Sequence, residues 1–354
     1  MSRGIDQDAM AVLEPASEPR RSWTRNAGAA VFALMLGLGA GLFLVYVAER
    51  RDDRLMSVQE TTERFPEELL GQLPEVPKAS RNGRPLLLQL NDHRHVFAES
   101  CRNLRSSLLF GPNPNGVPKT LLVTSAVPGE GKSTVAANLA CTLAFAGSRV
   151  LLIDGDLRRS SIHRMFNTPR EPGLANLLDQ KADPKSFGLI HPSAFSNLFI
   201  IPSGTTAANC GELLLSPSFD ALLDQAKRDF DFVIFDSIPV FASDDATTVA
   251  PKMDGVLFVV RAGFTSAAAV RQALDQLYQR QAKVLGLVLN RANTHDHAYP
   301  YYKYSEYYAH GAPDENPEPE TRHKTKQSLL TQALAANPPT PTPRPGPRLP
   351  RSEH

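Results

Sequence analysis

Apolar positions along the chain fall into distinct regimes. The first is an unbroken run over residues 27–48, AGAAVFALMLGLGAGLFLVYVA, with no charged side chain. As a helix at about 1.5 Å per residue it spans roughly 33 Å, enough for a hydrocarbon core of about 30 Å. Trp23 and Tyr46 sit near its two ends, where aromatic rings favour the membrane interface. Gly37 and Gly41 form a small-xxx-small pair, which suits close helix contact or reflects the abundance of glycine in such helices. A cleaved signal peptide fits poorly, because the run is long and charged residues follow it directly. Residues 49–85 read as a polar juxtamembrane linker, interrupted by Pro66, Pro74, Pro77 and Pro85.

From residue 86 to 297 the pattern changes. Short apolar β-rich runs cover Leu121–Ser125, Val150–Asp154, Leu198–Pro202, Phe232–Asp236, Val256–Val260 and Val284–Asn290. Helical stretches lie between them, among them Lys132–Ala146, Phe219–Arg228 and Ala267–Arg280. Continuous apolar strands joined by helical crossovers predict an α/β fold, a doubly wound and mostly parallel sheet covered on both faces. After Gly311 the chain turns Pro-, Thr- and charge-rich, and residues 311–354 are expected to form a disordered tail. A PxxP-type ligand and a passive tail both fit that composition.

Composition sharpens this picture. The 354 residues carry 38 basic and 37 acidic side chains, a net charge of +1, which argues against a general nucleic-acid binder. A mean hydropathy of −0.25 conceals the membrane-length run. Cys101, Cys141 and Cys210 form no CxxC pair, so they read as buried thiols in a reducing compartment. The histidines of NDHRH and THDH read as polar loop residues rather than metal ligands.

Residues 121–134 read LLVTSAVPGEGKST: an apolar strand, a glycine-containing turn, Lys-Ser-Thr and a helical pattern. This is the context of a P-loop and predicts a P-loop NTPase-type sheet, although Ala126 replaces the first glycine of the strict motif. Pro128, Gly129, Glu130, Gly131, Lys132, Ser133 and Thr134 are the candidate nucleotide-binding residues. Lys132 is expected to reach the β- and γ-phosphates of ATP, and Ser133 to ligate Mg²⁺. Two strands end in carboxylates, LLIDGD with Asp154 and Asp156 and FVIFDS with Asp236. In a parallel sheet these ends share an edge with the P-loop. Asp236 and Asp156 are therefore candidate Mg²⁺ ligands, directly or through water, and Asp154 a candidate for positioning or deprotonating a hydroxyl. Asn290, ending the last strand, fits either an adenine contact or a turn cap.

Six of eight tyrosines lie within ten residues: Tyr299, Tyr301, Tyr302, Tyr304, Tyr307 and Tyr308. Neither period 2 nor period 3.6 fits all six, which argues against a packed stripe. Beside a nucleotide site they read as phosphate acceptors.

Together these residues resemble the bacterial tyrosine autokinases, specifically the kinase half of fused polysaccharide co-polymerases of capsule and exopolysaccharide export. SAVPGEGKST resembles that family's Walker A, LLIDGDLRR its Walker A′ and FVIFDSIPV its Walker B. AESCRNLR resembles its E-x-x-R-x-x-R motif. The resemblance implies that Glu99, Arg102 and Arg105 mediate subunit contact in a ring-like homo-oligomer, with phosphoryl transfer in trans. It implies a bacterial inner-membrane location, residues 1–26 outside as a short stub and residues 86–297, the kinase domain, inside. Residues 298–310 hold the acceptor cluster. Implied partners are the polysaccharide polymerase and export machinery, a separate chain-length-determinant protein and a cognate tyrosine phosphatase. Nothing here matches the family's large extracytoplasmic domain or first membrane helix, which a longer chain or a partner would supply. Ile238, Ser160 and Cys210 stand where proline is usual. Two rivals remain: a membrane-attached ATPase of the partitioning or septum-positioning class, and a catalytically silent scaffold. The first expects a lysine at position 127, which is valine here. The second is disfavoured by the intact Lys132 and three aspartates.

Overall fold

A computed structural model describes residues 23–51, 53–76, 87–111, 116–180, 188–205 and 210–293. The chain divides after Tyr299, and the second unit, Pro300–His354, lies outside the described residues, as do the six clustered tyrosines.

The elements run in the order α1 (Trp23–Arg51), α2 (Val58–Arg64), β1 (Leu69–Pro74), α3 (His95–Phe110), β2 (Thr120–Ser125), α4 (Lys132–Phe145), β3 (Val150–Asp154), α5 (Ile162–Phe166) and α6 (Leu174–Gln180). Then follow β4 (His191–Pro192), β5 (Leu198–Ile201), α7 (Cys210–Leu215), α8 (Pro217–Asp229), β6 (Phe232–Asp236), α9 (Asp245–Val249), β7 (Gly255–Arg261), α10 (Ala267–Gln279) and β8 (Val284–Ala292). Within α1, residues Ala27–Val47 are long and apolar enough to cross a membrane, and their side chains are not buried against protein.

Eight strands form one sheet in the order β1-β8-β7-β2-β6-β3-β5-β4. Every pairing is parallel except β4 with β5. The doubly wound P-loop architecture expected from the apolar runs is present. Its cause is visible in β2, β3 and β6, where every residue is buried. Side-chain alternation sends Leu121 and Val123 to one face and Leu122 to the other. The first face packs α3 and α4 through Leu104, Leu139 and Leu143. The second packs α8 and α10 through Phe219, Leu222, Val270 and Leu274. Each such buried side chain contributes about 1.5–3 kcal/mol by leaving water.

One boundary differs from the sequence reading. Leu69–Pro74, inside the stretch read as linker, is an edge strand paired in parallel with β8. Leu70 and Leu73 are buried while Gly71 and Gln72 are half-buried, so the strand lacks the continuous apolar signal of its neighbours. Pro74 is tolerated there because an edge position leaves its missing N–H without consequence. The preceding Asp53–Leu55 is also docked. Leu55 is fully buried, its N–H donating to the Thr265 carbonyl at 3.0 Å.

Candidate active site

The site lies at the carboxyl ends of β2, β3 and β6. Parallel register puts Asp154 directly opposite Asp236, and Val123 opposite Asp236 on the other side. The chain leaves β2 at Ser125 and must turn before α4 begins at Lys132. Gly129 and Gly131 make that turn with φ of +90° each, a region side chains disfavour. Gly131 is also the N-cap of α4, so the loop amides and the helix N-terminus face the same space. That space is a cleft of about 530 Å³, walled by Pro128, Gly129, Gly131–Thr134, Asp156, Arg158 and Arg159, with Ile238, Pro239 and Ala242 opposite.

Two residues hold the loop from behind. Glu130 is completely buried and turns inward. Its carboxylate accepts the Val127 N–H at 2.7 Å and the Arg261 N–H at 3.4 Å, and the Thr265 hydroxyl donates to it as well. Burial pushes its carboxyl above the ordinary range despite these donors. Asn290 donates its amide to the Glu130 carbonyl at 2.7 Å. Its position directly beside Gly131 leaves no room there for a Cβ. The geometry thus gives Asn290 a contact with the loop backbone that neither sequence alternative contained.

Lys132 is nearly buried, with Nζ 3.3 Å from Asp156 Oδ2, 3.7 Å from Asp236 Oδ1 and 3.2 Å from the Ser133 hydroxyl. Burial opposes its charge, but the carboxylates of Asp236, Asp156 and Asp154 outweigh that and hold its pKa above the ordinary lysine value. Asp236 is inaccessible to solvent, and among the described residues neither carboxylate oxygen has a donor within hydrogen-bonding geometry. Burial raises its pKa, with Lys132 pulling the other way. A buried carboxylate needs a charge partner, and Lys132 at 3.7 Å is shared with Asp156, which leaves Asp236 with accepting capacity for a second cation. Together with Ser133 and Asp156, Asp236 forms a set of hard oxygen donors that fits Mg²⁺.

Asp154 is also fully buried and is better satisfied. Its Oδ2 accepts the Ser160 hydroxyl at 2.7 Å and the Ile162 N–H at 3.1 Å, while Oδ1 accepts the Asp156 N–H at 3.3 Å. Burial, and then the Asp236 charge, push it up to about 7. Sequence reasoning missed Ser160 as a partner, because the contact depends on how the loop after β3 enters α5. It also missed the rim arginines, Arg158 and Arg159, and the apolar wall at 238–242.

Glu99, Arg102 and Arg105 lie apart from this cleft on α3. Glu99 and Arg102 pair with each other and are half-exposed. Arg105 donates to the Thr142 carbonyl at 3.1 Å, tying α3 to α4 within the domain.

Comparison with known proteins places this geometry in a family. The family model described as ParA, NUBPL iron-transfer P-loop NTPase, matches residues 116–305. The chain is 33% identical over 217 residues to the tyrosine-protein kinase YwqD of Bacillus subtilis (strain 168), across 61% of this chain and 90% of that one. It is 33% identical over 238 residues to the succinoglycan biosynthesis transport protein ExoP of Rhizobium meliloti (strain 1021), across 63% of this chain and 30% of that one. The kinase domain of the Escherichia coli tyrosine kinase ETK superposes with a TM-score of 0.61 at 27% identity, across 70% of this chain and 99% of that one. The chain therefore spans nine-tenths of one relative and less than a third of others, 28% in one case. On the matched P-loop domain and its nearly full-length likeness to YwqD, the chain belongs to the bacterial tyrosine-kinase family of P-loop proteins.

Proposed function

We propose that the chain is an ATP-dependent protein-tyrosine autokinase that phosphorylates its own Tyr299, Tyr301, Tyr302, Tyr304, Tyr307 and Tyr308 in trans. The observation that carries this reading is the Lys132 ammonium set between Asp156 and Asp236 beneath a left-handed glycine loop. Loop amides and Lys132 bind the phosphates of ATP. Ser133 and Asp236 would hold Mg²⁺, with Asp156 supporting it through water. When bound, the metal neutralises charge on the transferred phosphoryl group. Lys132, held in place between Asp156 and Asp236, stabilises the charge that develops on that group. Asp154 orients the tyrosine hydroxyl and accepts its proton. The γ-phosphorus then bonds the tyrosine oxygen as its bond to the β,γ-bridging oxygen breaks, and ADP leaves.

In this reading residues 27–48 span the bacterial inner membrane once, with the 1–26 stub outside. The segment after the helix, with Leu55 and β1 packed into the domain, and residues 86–297 form a cytoplasmic kinase domain, followed by the acceptor segment 298–310 and the tail 311–354. Glu99, Arg102 and Arg105 join subunits into a ring. Six phosphates would add roughly −9 to −12 charges and loosen it. That cycle would regulate the chain length and export of an exopolysaccharide or capsule, together with the export machinery, a chain-length partner and a phosphatase. The likeness to ExoP, a succinoglycan biosynthesis transport protein, supports the polysaccharide part.

Labelled ATP tests the reading on the full chain in detergent micelles. Phosphotyrosine is expected in residues 299–308, and it should vanish with Lys132→Met or with all six tyrosines changed to Phe. Rapid ATP hydrolysis without phosphotyrosine would instead support a positioning ATPase.

A further inference from the structure

Asp154 sits at the end of a hydrogen-bonded chain of three side chains. The Ser160 hydroxyl lies 2.7 Å from Asp154 Oδ2, and His163 Nδ1 lies 2.8 Å from the same hydroxyl. Ser160 is buried and His163 half-buried. A serine hydroxyl has one proton and two lone pairs. In the ionised form that can take a proton from the acceptor hydroxyl, Asp154 only accepts, so in that form the Ser160 proton points to Oδ2. His163 must then donate from Nδ1 to the Ser160 oxygen, which selects its tautomer. Burial, and the nearby charges of Arg164 and Arg170, hold His163 below the usual histidine range and favour the neutral ring that this tautomer describes. The Ser160 backbone is itself fixed, since Arg164 Nη2 donates to its carbonyl at 3.2 Å.

The two oxygens of Asp154 are consequently unequal. Oδ2 receives Ser160 and the Ile162 N–H at 3.1 Å, whereas among the described residues Oδ1 receives only the Asp156 N–H at 3.3 Å. Carboxylate rotation about its terminal torsion is otherwise soft. Two donors on one oxygen stop that rotation and leave the other oxygen with accepting capacity.

We propose that Ser160 and His163 are positioning residues for phosphoryl transfer, holding the Asp154 carboxylate so that Oδ1 receives the acceptor hydroxyl. This rests on the proposed role of Asp154. Ser160 acts through Asp154 and His163 acts through Ser160, and neither touches substrate.

The test is autophosphorylation of the full chain in detergent micelles, with kcat and the KM for ATP measured separately. Ser160→Ala should lower kcat about tenfold, part of the roughly 10²–10⁴-fold that a positioned acid or base supplies. KM for ATP should stay within about twofold, because no phosphate contact is altered. Ser160→Thr keeps the hydroxyl and should restore most of the rate. His163→Ala should give a smaller loss, and in the Ser160→Ala background no further loss. Ser160→Ala added to Asp154→Asn should likewise cost nothing more, which a general structural defect would not produce. Wild-type kcat in Ser160→Ala, or a full additional loss on top of Asp154→Asn, overturns the proposal. Wild-type kcat in Asp154→Asn overturns the role of Asp154 itself, and the two failures are thereby distinct. Should Ser160→Ala lose its cooperative melting transition, His163→Ala, altered at a half-buried side chain, carries the same comparison, and wild-type kcat there overturns the proposal.

Discussion

The Lys132 ammonium stands 3.7 Å from Asp236 Oδ1, and neither Asp236 oxygen has a hydrogen-bond donor among the described residues. A single buried lysine therefore faces a carboxylate with unused acceptor capacity, as well as Asp156. Such a site should gain from a second cation. Asp236→Asn should lower the phosphorylation rate by at least about 100-fold, the scale on which a charge at the reacting group acts. It should also weaken the Mg²⁺ dependence of ATP-analogue binding. Titrating Mg²⁺ at fixed analogue concentration reads this, and an unchanged Mg²⁺ midpoint would remove Asp236 from the metal site.

Asp154 and the pH dependence of stability are linked with a definite sign. Its carboxyl is pushed up from 3.8 to about 7 by burial and by the Asp236 charge. Between those values the folded chain keeps a proton that the unfolded chain has lost. Its contribution to stability is fully present below about 3.8 and is lost as pH rises through about 7. Asp154→Asn removes this equilibrium. The melting temperature of the variant relative to the parent, without nucleotide, should therefore rise between pH 5 and pH 8. A difference independent of pH would show that Asp154 is ionised throughout.

The loop glycines are not equivalent to the position where a glycine is missing. Gly131 has φ +90° and the Asn290 amide against it, so Gly131→Ala meets both a strained backbone and a clash. The left-handed conformation alone costs a side chain about 1–2 kcal/mol, and displacing Asn290 adds to it. ATP-analogue affinity should fall at least tenfold. Ala126 differs, because it is fully buried in the core and has no positive φ. Ala126→Gly should leave affinity within about twofold while lowering stability by about 0.5–1 kcal/mol through backbone entropy. Fluorescent-nucleotide titration separates the two outcomes.

How much of this was legible depended on burial. β3 and β6 were readable to the residue because both of their faces are covered, so the apolar run is unbroken. Asp154, Asp156, Lys132 and Asp236 followed, since strand ends of a parallel sheet converge. The edge strand β1 was not legible, since only Leu70, Leu73 and Pro74 of its six residues are buried. Five-residue helices such as α5 and α9 are too short to show a period. That hid the Ser160–Asp154 bond, which was visible in sequence only as a serine in place of proline. The inward turn of Glu130 was equally hidden, because the P-loop pattern leaves that position open.

Leu55 brings these points to a test in the stretch read as linker. Its side chain is fully buried in the core that holds Phe258 and Leu289. Its carbonyl accepts the Gly263 N–H at 2.8 Å, and its own N–H donates to the Thr265 carbonyl. Thr265 in turn donates its hydroxyl to Glu130 beneath the nucleotide loop. Leu55→Ala should therefore cost about 2–5 kcal/mol, as truncation of a core leucine does. An exposed linker residue would stay within about 0.5 kcal/mol. Urea denaturation of the full chain in micelles measures the difference. Because Thr265 connects the two places, ATP-analogue affinity should also fall in Leu55→Ala. A stability loss with unchanged affinity would separate the docked segment from the loop, and no stability loss would return it to the status of a linker.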